Sequence, residues 1–210
     1  MKFEERDIYL IAGLHGNERA PVRALTSASV DFVLGNPEAH SQNLRFTESD
    51  LNASFGIEHS TREGELAREI LNKIPVEGLV VDFHTTSAKG PPFVILTDIR
   101  MLPFAETTGL KHAVLMSHNI KEGHALINMR DGISIEMSGY DSEESVLTTL
   151  AVLESVRNGT RNQLEVYEVY EKITKPGTYE NFAEHTEGFF PVLVGEDAYD
   201  FIGLKARRLN

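Results

Sequence analysis

Two histidines and two glutamates stand in this chain at places where polar side chains earn little unless they do chemistry. His15 and Glu18 lie in "IAGLHGNERAP", directly after an apolar run that stops at a glycine. His84 closes "GLVVDFH", a run of Leu79, Val80, Val81 and Phe83 that gains nothing in packing from ending on an imidazole. Two histidines and one glutamate form the ligand set of hydrolytic zinc sites that keep one position open for water. Zinc held in this way lowers the pKa of that water to roughly 7, so a nucleophile is available at neutral pH. Asp82, two residues before His84, is a candidate to accept a hydrogen bond from an imidazole and fix its tautomer. Spacing alone leaves open which face its side chain takes.

Glu136, in "GISIEMSGY", adds a carboxylate between two apolar residues of a strand-like run, where burial without a partner is costly. One reading turns it outward on a half-exposed strand, because Ile133, Ile135 and Met137 share the opposite parity. The other makes it a partly desolvated general base and acid beside a metal, with its pKa raised toward neutrality. Periodicity does not choose between them. An H-x-x-E spacing is weak evidence by itself, since both residue types are common at exposed helix starts. The remaining histidines, His40, His59, His112, His118, His124 and His185, lie in polar or loop-like surroundings and read as plain surface residues.

The elements that must position these groups alternate short, β-branched apolar runs with amphipathic stretches, which is the pattern of an α/β fold. Strands are predicted in 7–13, 31–37, 78–84 and 91–97, and further ones in "HAVLMS" and "GISIEMSG". A helix is predicted in "NERAPVRALTSAS" (17–29), where Pro21 is tolerable only near its first turn. A second spans 61–74, with Leu66, Ile70, Leu71 and Ile74 along its apolar side, and a third spans 142–159, closed by Gly159. Ligands of open α/β sheets gather at the carboxyl ends of the strands, where His15, Glu18 and His84 all fall. After Gly159 the chain becomes turn-rich with alternating patterns, so we divide it into 1–159, a catalytic α/β domain, and 160–210, a small β-rich C-terminal domain.

The chain has 210 residues, 41% of them hydrophobic, enough for one ordinary core. Its net charge of −12 argues against a nucleic-acid surface and against an anionic membrane surface. The acidity is spread through short patches such as "EERD", "EGE", "DSEE" and "GEDAYD", which read as solvated. With no cysteine there is no thiolate metal site, so any zinc must be held by histidine and carboxylate. The stretch "MKFEERDIYL" lacks the apolar core of a signal peptide, and no segment reaches the length of a membrane span. A cytoplasmic protein acting on a small molecule is expected, and association into a homo-oligomer is left open.

In this order the segments resemble the succinylglutamate desuccinylase/aspartoacylase family of zinc amidohydrolases. "GLHGNE" is similar to the family's H-G-N-E, "VVDFHTTS" to its D-L-H-x-T, and "ISIEMSG" to its I-E-V-G. Between them "RFTESDLNASF" resembles R-[YF]-x-x-x-D-[LM]-N-R-x-F, and "LEVYEVYEKI" and "FFPVLVGEDAY" resemble the start and finish of its C-terminal β domain. The resemblance implies a zinc-carboxypeptidase-like three-layer αβα domain with a mixed sheet. It makes His15, Glu18 and His84 ligands of one zinc ion per chain and Glu136 the catalytic base. Arg45, Asn52 and Tyr199 become candidates to bind substrate. Arg130, in "NMRDG", is a further candidate through its nearness in sequence to Glu136.

The chain also departs from the family pattern. Ala53 and Ser54 follow Asn52 where the family carries an arginine that grips a substrate carboxylate. A bidentate guanidinium has no cheap substitute. Glu38, in "NPEA", replaces the arginine of the aspartoacylase N-P-R-A, and the C-terminal domain is short. The expected activity is zinc-dependent hydrolysis of an amide, or an ester, of an N-acyl amino acid or related small molecule. The rivals are a carboxypeptidase-type peptidase on the same fold and a non-catalytic zinc-binding protein that has lost substrate recognition. The first is weakened by the missing arginine, the second by the retained Glu136.

Overall fold

The run Leu79–Thr86 is apolar enough to be covered on both sides, and it forms the strand β3, buried along its whole length. The computed structural model describes residues 5–58, 60–116 and 122–210. In chain order the elements are β1 (Ile8–Ala12), α1 (Arg19–Ser27), β2 (Val33–Leu34), α2 (Pro37–Gln42), α3 (Arg62–Lys73), β3, β4 (Phe93–Leu96), α4 (Leu102–Ala105) and β5 (His112–Leu115). There follow α5 (Leu126–Met129), β6 (Gly132–Ser138), α6 (Glu143–Asn158), β7 (Glu165–Ile173), β8 (Phe190–Val192) and β9 (Gly203–Arg208). Among the described residues the strands form one sheet in the order β2-β1-β3-β6-β4-β5-β7-β9-β8. It is mixed: β1, β3 and β6 run parallel, β4 is antiparallel to β6, and β9 is antiparallel to both β7 and β8.

Strand alternation divides the interior into two layers. Leu79, Val81, Phe83, Ile133, Ile135 and Met137 pack on one face with Val22 and Leu25 of α1 and with Val152, Leu153 and Val156 of α6. Val80 belongs to the other face, with Leu66, Ala67 and Ile70 of α3 and Leu126 and Ile127 of α5. Each fully buried side chain of this size contributes roughly 1.5–3 kcal/mol. The same alternation decides where the polar residues go. Asp82 and His84 share parity with Val80, and Glu136 pairs with His84 across β3 and β6, so all three face the α3/α5 side.

Several elements differ from the expectation. The strand predicted over 31–37 is reduced to Val33–Leu34, because Asn36 caps α2 by accepting from Ala39 N at 3.1 Å and Pro37 opens that helix. The short helices α2, α4 and α5 and the strand β9 show too little period to be read in sequence. Residues beyond Gly159 place β7 beside β5, in parallel, and carry β9 and β8 onto the edge of the same sheet. His112 is buried and stacked on Phe182, with ring centroids 4.5 Å apart, and is no surface residue. His40 and His124 are half-buried, their Nδ1 atoms within reach of the carbonyls of Gly16 and Phe55. His185 is also half-buried, and His59 and His118 lie outside the described residues. No helix among the described residues is long and apolar enough to cross a membrane.

Candidate active site

The turn between β1 and α1 is shaped so that both of its polar side chains face the end of β3. Gly13 adopts a φ of +70°, which favours glycine. Gly16 packs so tightly against α2 that a Cβ would lie 2.2 Å from the carbonyl carbon of Ala39. The first amides of α1, Arg19 N and Ala20 N, donate to the carbonyl of Tyr140 at 2.8 and 3.1 Å. Glu18 stands at the N-cap position but makes no side-chain cap, so its carboxylate is free to turn inward.

That buried carboxylate is where the site converges. His15 Nδ1 lies 2.6 Å from Glu18 Oε1, and His84 Nδ1 lies 3.0 Å from Oε2, which also accepts from Thr85 N at 3.1 Å. The far nitrogen of each ring meets another carboxylate. His15 Nε2 is 3.0 Å from Asp50 Oδ1, and His84 Nε2 is 2.7 Å from Asp82 Oδ2. The ligand atoms of His15, Glu18 and His84 lie within 4.8 Å of one another.

The electrostatics describe a cluster that wants positive charge. Burial works to raise the Glu18 pKa, yet the charges of His15 and His84 overcome it and hold the group well below the usual carboxylate range. Burial opposes the charged form of His84, but Asp82 and Glu18 outweigh it and hold its pKa well above the ordinary value. With each Nε2–H donating to its aspartate, a neutral ring would aim its Nδ1 lone pair at the Glu18 carboxylate. Two lone pairs and an anion at these distances need a cation among them, either protons or a metal ion. The donors fit zinc: two imidazole nitrogens and one carboxylate, with carboxylates behind the imidazoles.

Glu136 lies beside His84 in register on the adjacent strand. Burial pushes its carboxyl up to about 8, with His84 pulling it down and Glu18 and Glu196 pushing it up. A polar cavity joins Glu136 and the His15–Glu18–His84 group to Arg45, Asn52, Thr86, Leu193, Glu196 and Tyr199. A second cavity opens from Asn52, His84, Glu136, Leu193 and Tyr199 into Ile95, Thr97, Met116, Ala125, Ile127, Asn128 and Ser134.

The chain brings Arg45, Asn52 and Asp50 here on one segment, pinned from behind by Glu63 of α3. The fully buried Glu63 carboxylate accepts from Asn36 Nδ2 at 3.0 Å, from Thr47 N and Oγ1 at 2.7 Å each, and from Ser49 N at 3.2 Å. Arg45 lies 3.7 Å from both Glu18 Oε1 and Asp50 Oδ2 and keeps 23% of its side chain exposed. Asn52 Oδ1 accepts from Leu126 N at 3.2 Å, which ties the segment to α5.

The last wall comes from the loop after β8. Glu196 is buried, accepts from Thr86 Oγ1, and accepts from Ser87 N at 2.9 Å and Ala198 N at 3.0 Å. It fixes the loop that presents Tyr199, whose phenol is pushed above its usual range by burial and by the Glu136 charge and so stays protonated.

Arg130 is not among these residues. Its guanidinium donates to the carbonyls of Ile74, Met129 and Leu71 at 2.9, 2.8 and 2.9 Å and closes the end of α3. It precedes β6 at the end opposite Glu136, and a strand rising roughly 3.3 Å per residue carries the two about 20 Å apart. Asp50, Glu63 and Glu196 were not singled out from sequence. Glu63 belongs to "EGE" and Glu196 to "GEDAYD", both read there as solvated patches, and the burial of each corrects that reading.

Comparison with known proteins is consistent with this geometry. Residues 4–139 match the family model of the succinylglutamate desuccinylase/aspartoacylase catalytic domain. A probable aspartoacylase of Prochlorococcus marinus subsp. pastoris is 30% identical over 125 residues, 51% of this chain and 42% of that protein. A succinylglutamate desuccinylase of Shewanella sp. is 32% identical over 100 residues, 41% of this chain and 29% of that protein. The matches thus span less than half the length of these relatives. Among solved structures, the succinylglutamate desuccinylase of Chromobacterium violaceum superposes with a TM-score of 0.75 at 16% identity, over 98% of this chain and 85% of that one. Murine aminoacylase 3 gives 0.74 at 16% identity, over 97% and 95%. At those identities the likeness carries the fold, a zinc-carboxypeptidase-like α/β architecture with a large mixed sheet. The matched segment holds His15, Glu18, Arg45, Asp50, Asp82 and His84, together with both strands that bring His84 against Glu136, and on it the chain belongs to the succinylglutamate desuccinylase/aspartoacylase family.

Proposed function

We propose that the protein hydrolyses the amide bond of an N-acyl amino acid, with zinc held by His15, Glu18 and His84 and with Glu136 as general base and then acid. The observation that carries this reading is the convergence of both histidine Nδ1 atoms on Glu18, with Glu136 beside His84 at the mouth of a cavity. Zinc bound there supplies a Lewis acid that polarises the scissile carbonyl and acidifies the attacking water.

The chain's own groups do the rest. Glu136 takes a proton from the water as its oxygen bonds to the carbonyl carbon. It then delivers that proton to the amine nitrogen as the carbon–nitrogen bond breaks, releasing a carboxylic acid and a free amine. Asp50 and Asp82 hold the two imidazoles with Nδ1 toward Glu18. Arg45, the one arginine or lysine lining the polar cavity among the described residues, faces the negative charge that develops on the carbonyl oxygen or the carboxylate of the substrate. The protonated Tyr199 phenol is a second donor on the same cavity.

Purified protein loaded with zinc, assayed for amine release from a panel of N-acyl amino acids beside Glu136→Gln, tests the proposal. Turnover by wild type and its loss in the zinc-retaining variant are expected. Zinc binding with no turnover of any member would leave the non-catalytic alternative standing.

A further inference from the structure

The larger cavity beside Glu136 has a chemistry of its own. Its walls are Ile95 of β4, Met116 after β5, Ala125 and Ile127 at α5, and Leu193 of the C-terminal loop. Its polar side chains are partly committed to the wall. Thr97 Oγ1 donates to the carbonyl of Ile127 at 2.8 Å, and Asn128 Oδ1 accepts from Ala125 N at 3.2 Å. Among the described residues no lysine or arginine lines it, and its one carboxylate is Glu136. An anionic group placed there would lose its water, meet no lysine or arginine among the described residues, find the His84 ring nitrogens already facing Glu18 and Asp82, and lie beside the Glu136 carboxylate. An uncharged apolar group would exchange water for five apolar side chains.

We infer that the substrate carries an uncharged, apolar group next to the scissile amide and seats it in this cavity. The inference rests on the hydrolase reading for its assay but on the cavity for its content. Two sources supply the same chemistry: the side chain of the amino acid and the acyl chain. Each methylene buried there should improve kcat/KM about fourfold until the cavity is full. A carboxylate in the same place should cost roughly a hundredfold or more.

The test compares N-acetylleucine and N-acetylmethionine with N-hexanoylglycine, N-acetylaspartate and N-succinylglutamate on the zinc-loaded chain. The first two winning assigns the cavity to the side chain, N-hexanoylglycine winning assigns it to the acyl chain, and either supports the inference. Ala125→Leu should narrow the cavity and lower the ratio of long-chain to N-acetylglycine kcat/KM by roughly tenfold, and Met116→Ala, on another wall, should raise it. Circular dichroism and melting of both variants identify any that fails to fold, and the other then decides. An acidic substrate winning overturns the inference while leaving the hydrolase reading intact. If nothing is turned over, thermal shift of Glu136→Gln with N-acetylleucine and with N-acetylaspartate separates the two. Stabilisation by the leucine compound alone, abolished in the Ala125→Leu, Glu136→Gln double variant, keeps the cavity and sinks the hydrolase. Stabilisation by neither overturns the inference.

Discussion

Asp82 Oδ2 sits 2.7 Å from His84 Nε2, two residues apart on one strand, with Asp82 fully buried. Strand alternation makes the pair possible: residues two apart share a face, so a buried carboxylate can orient an imidazole without help from another element. Replacing Asp82 by Ala should lower zinc affinity by roughly 10–100-fold, the usual effect of removing such a support. His84→Ala should abolish stoichiometric binding, against about one zinc per chain in wild type. Elemental analysis and chelator competition measure both. Unchanged affinity in Asp82→Ala would mean that the ring is oriented by something else.

The pH profile should report Glu136. A general base must be ionised, and burial holds this carboxyl at about 8 in the metal-free site, so activity should fall toward acid. A zinc ion facing Glu136 favours the carboxylate, which moves the acid limb of kcat/KM below that value. The limb belongs jointly to Glu136 and the attacking water. Glu136→Gln should lose roughly 100-fold or more in turnover while keeping zinc. Near wild-type turnover in the variant would remove Glu136 from the reaction.

Glu63 should matter for stability, at a distance from the chemistry. Burial works to raise its pKa, but the donors from Thr47, Asn36 and Ser49 overcome it and hold the group below its ordinary value. A depressed folded-state pKa means that the stabilisation is fully present above the unfolded value of about 4.3 and is lost as pH falls through the folded value. Glu63→Gln should therefore cost about 1–3 kcal/mol near neutrality, and the gap to wild type should close in acid. Urea melts at several pH values measure this. A gap that widens in acid would reverse the sign and reject the account.

Ala53 ends the turn Leu51–Ala53, next to Asn52, and is half-buried. Without an arginine there, substrates rich in carboxylate lose a charged hydrogen bond contributing roughly 1.5–3 kcal/mol, or about one to two orders of magnitude in kcat/KM. Ala53→Arg should improve N-acetylaspartate more than neutral substrates. Wild-type hydrolysis of N-acetylaspartate as fast as the best neutral amide would end this explanation.

The helices α1, α3 and α6 and the strands β1, β3, β4, β5 and β6 were legible because each is long or apolar enough to carry a period of its own. The His15, Glu18 and His84 group was legible for the related reason that strand ends are where an α/β sheet exposes polar groups. Glu63 and Glu196 were not, since a carboxylate reads as solvated until the donors that surround it are known, and those donors come from distant segments. Arg130 misled because nearness along a strand is distance in space. His112 misled because its burial is made by Phe182, 70 residues away and invisible to any local window.

The anchoring of Glu196 on Thr86 and Ser87 also sets a timetable for biosynthesis. Glu196 follows its hydroxyl partner by 110 residues, so at ribosomal speed the two are separated by on the order of ten seconds. During that interval the emerging chain already holds His15, Glu18 and His84, yet the wall bearing Leu193 and Tyr199 has not been made. A nascent chain paused there should capture metal before it can enclose a substrate, and the Glu196 contact would be the step that ends that immature state.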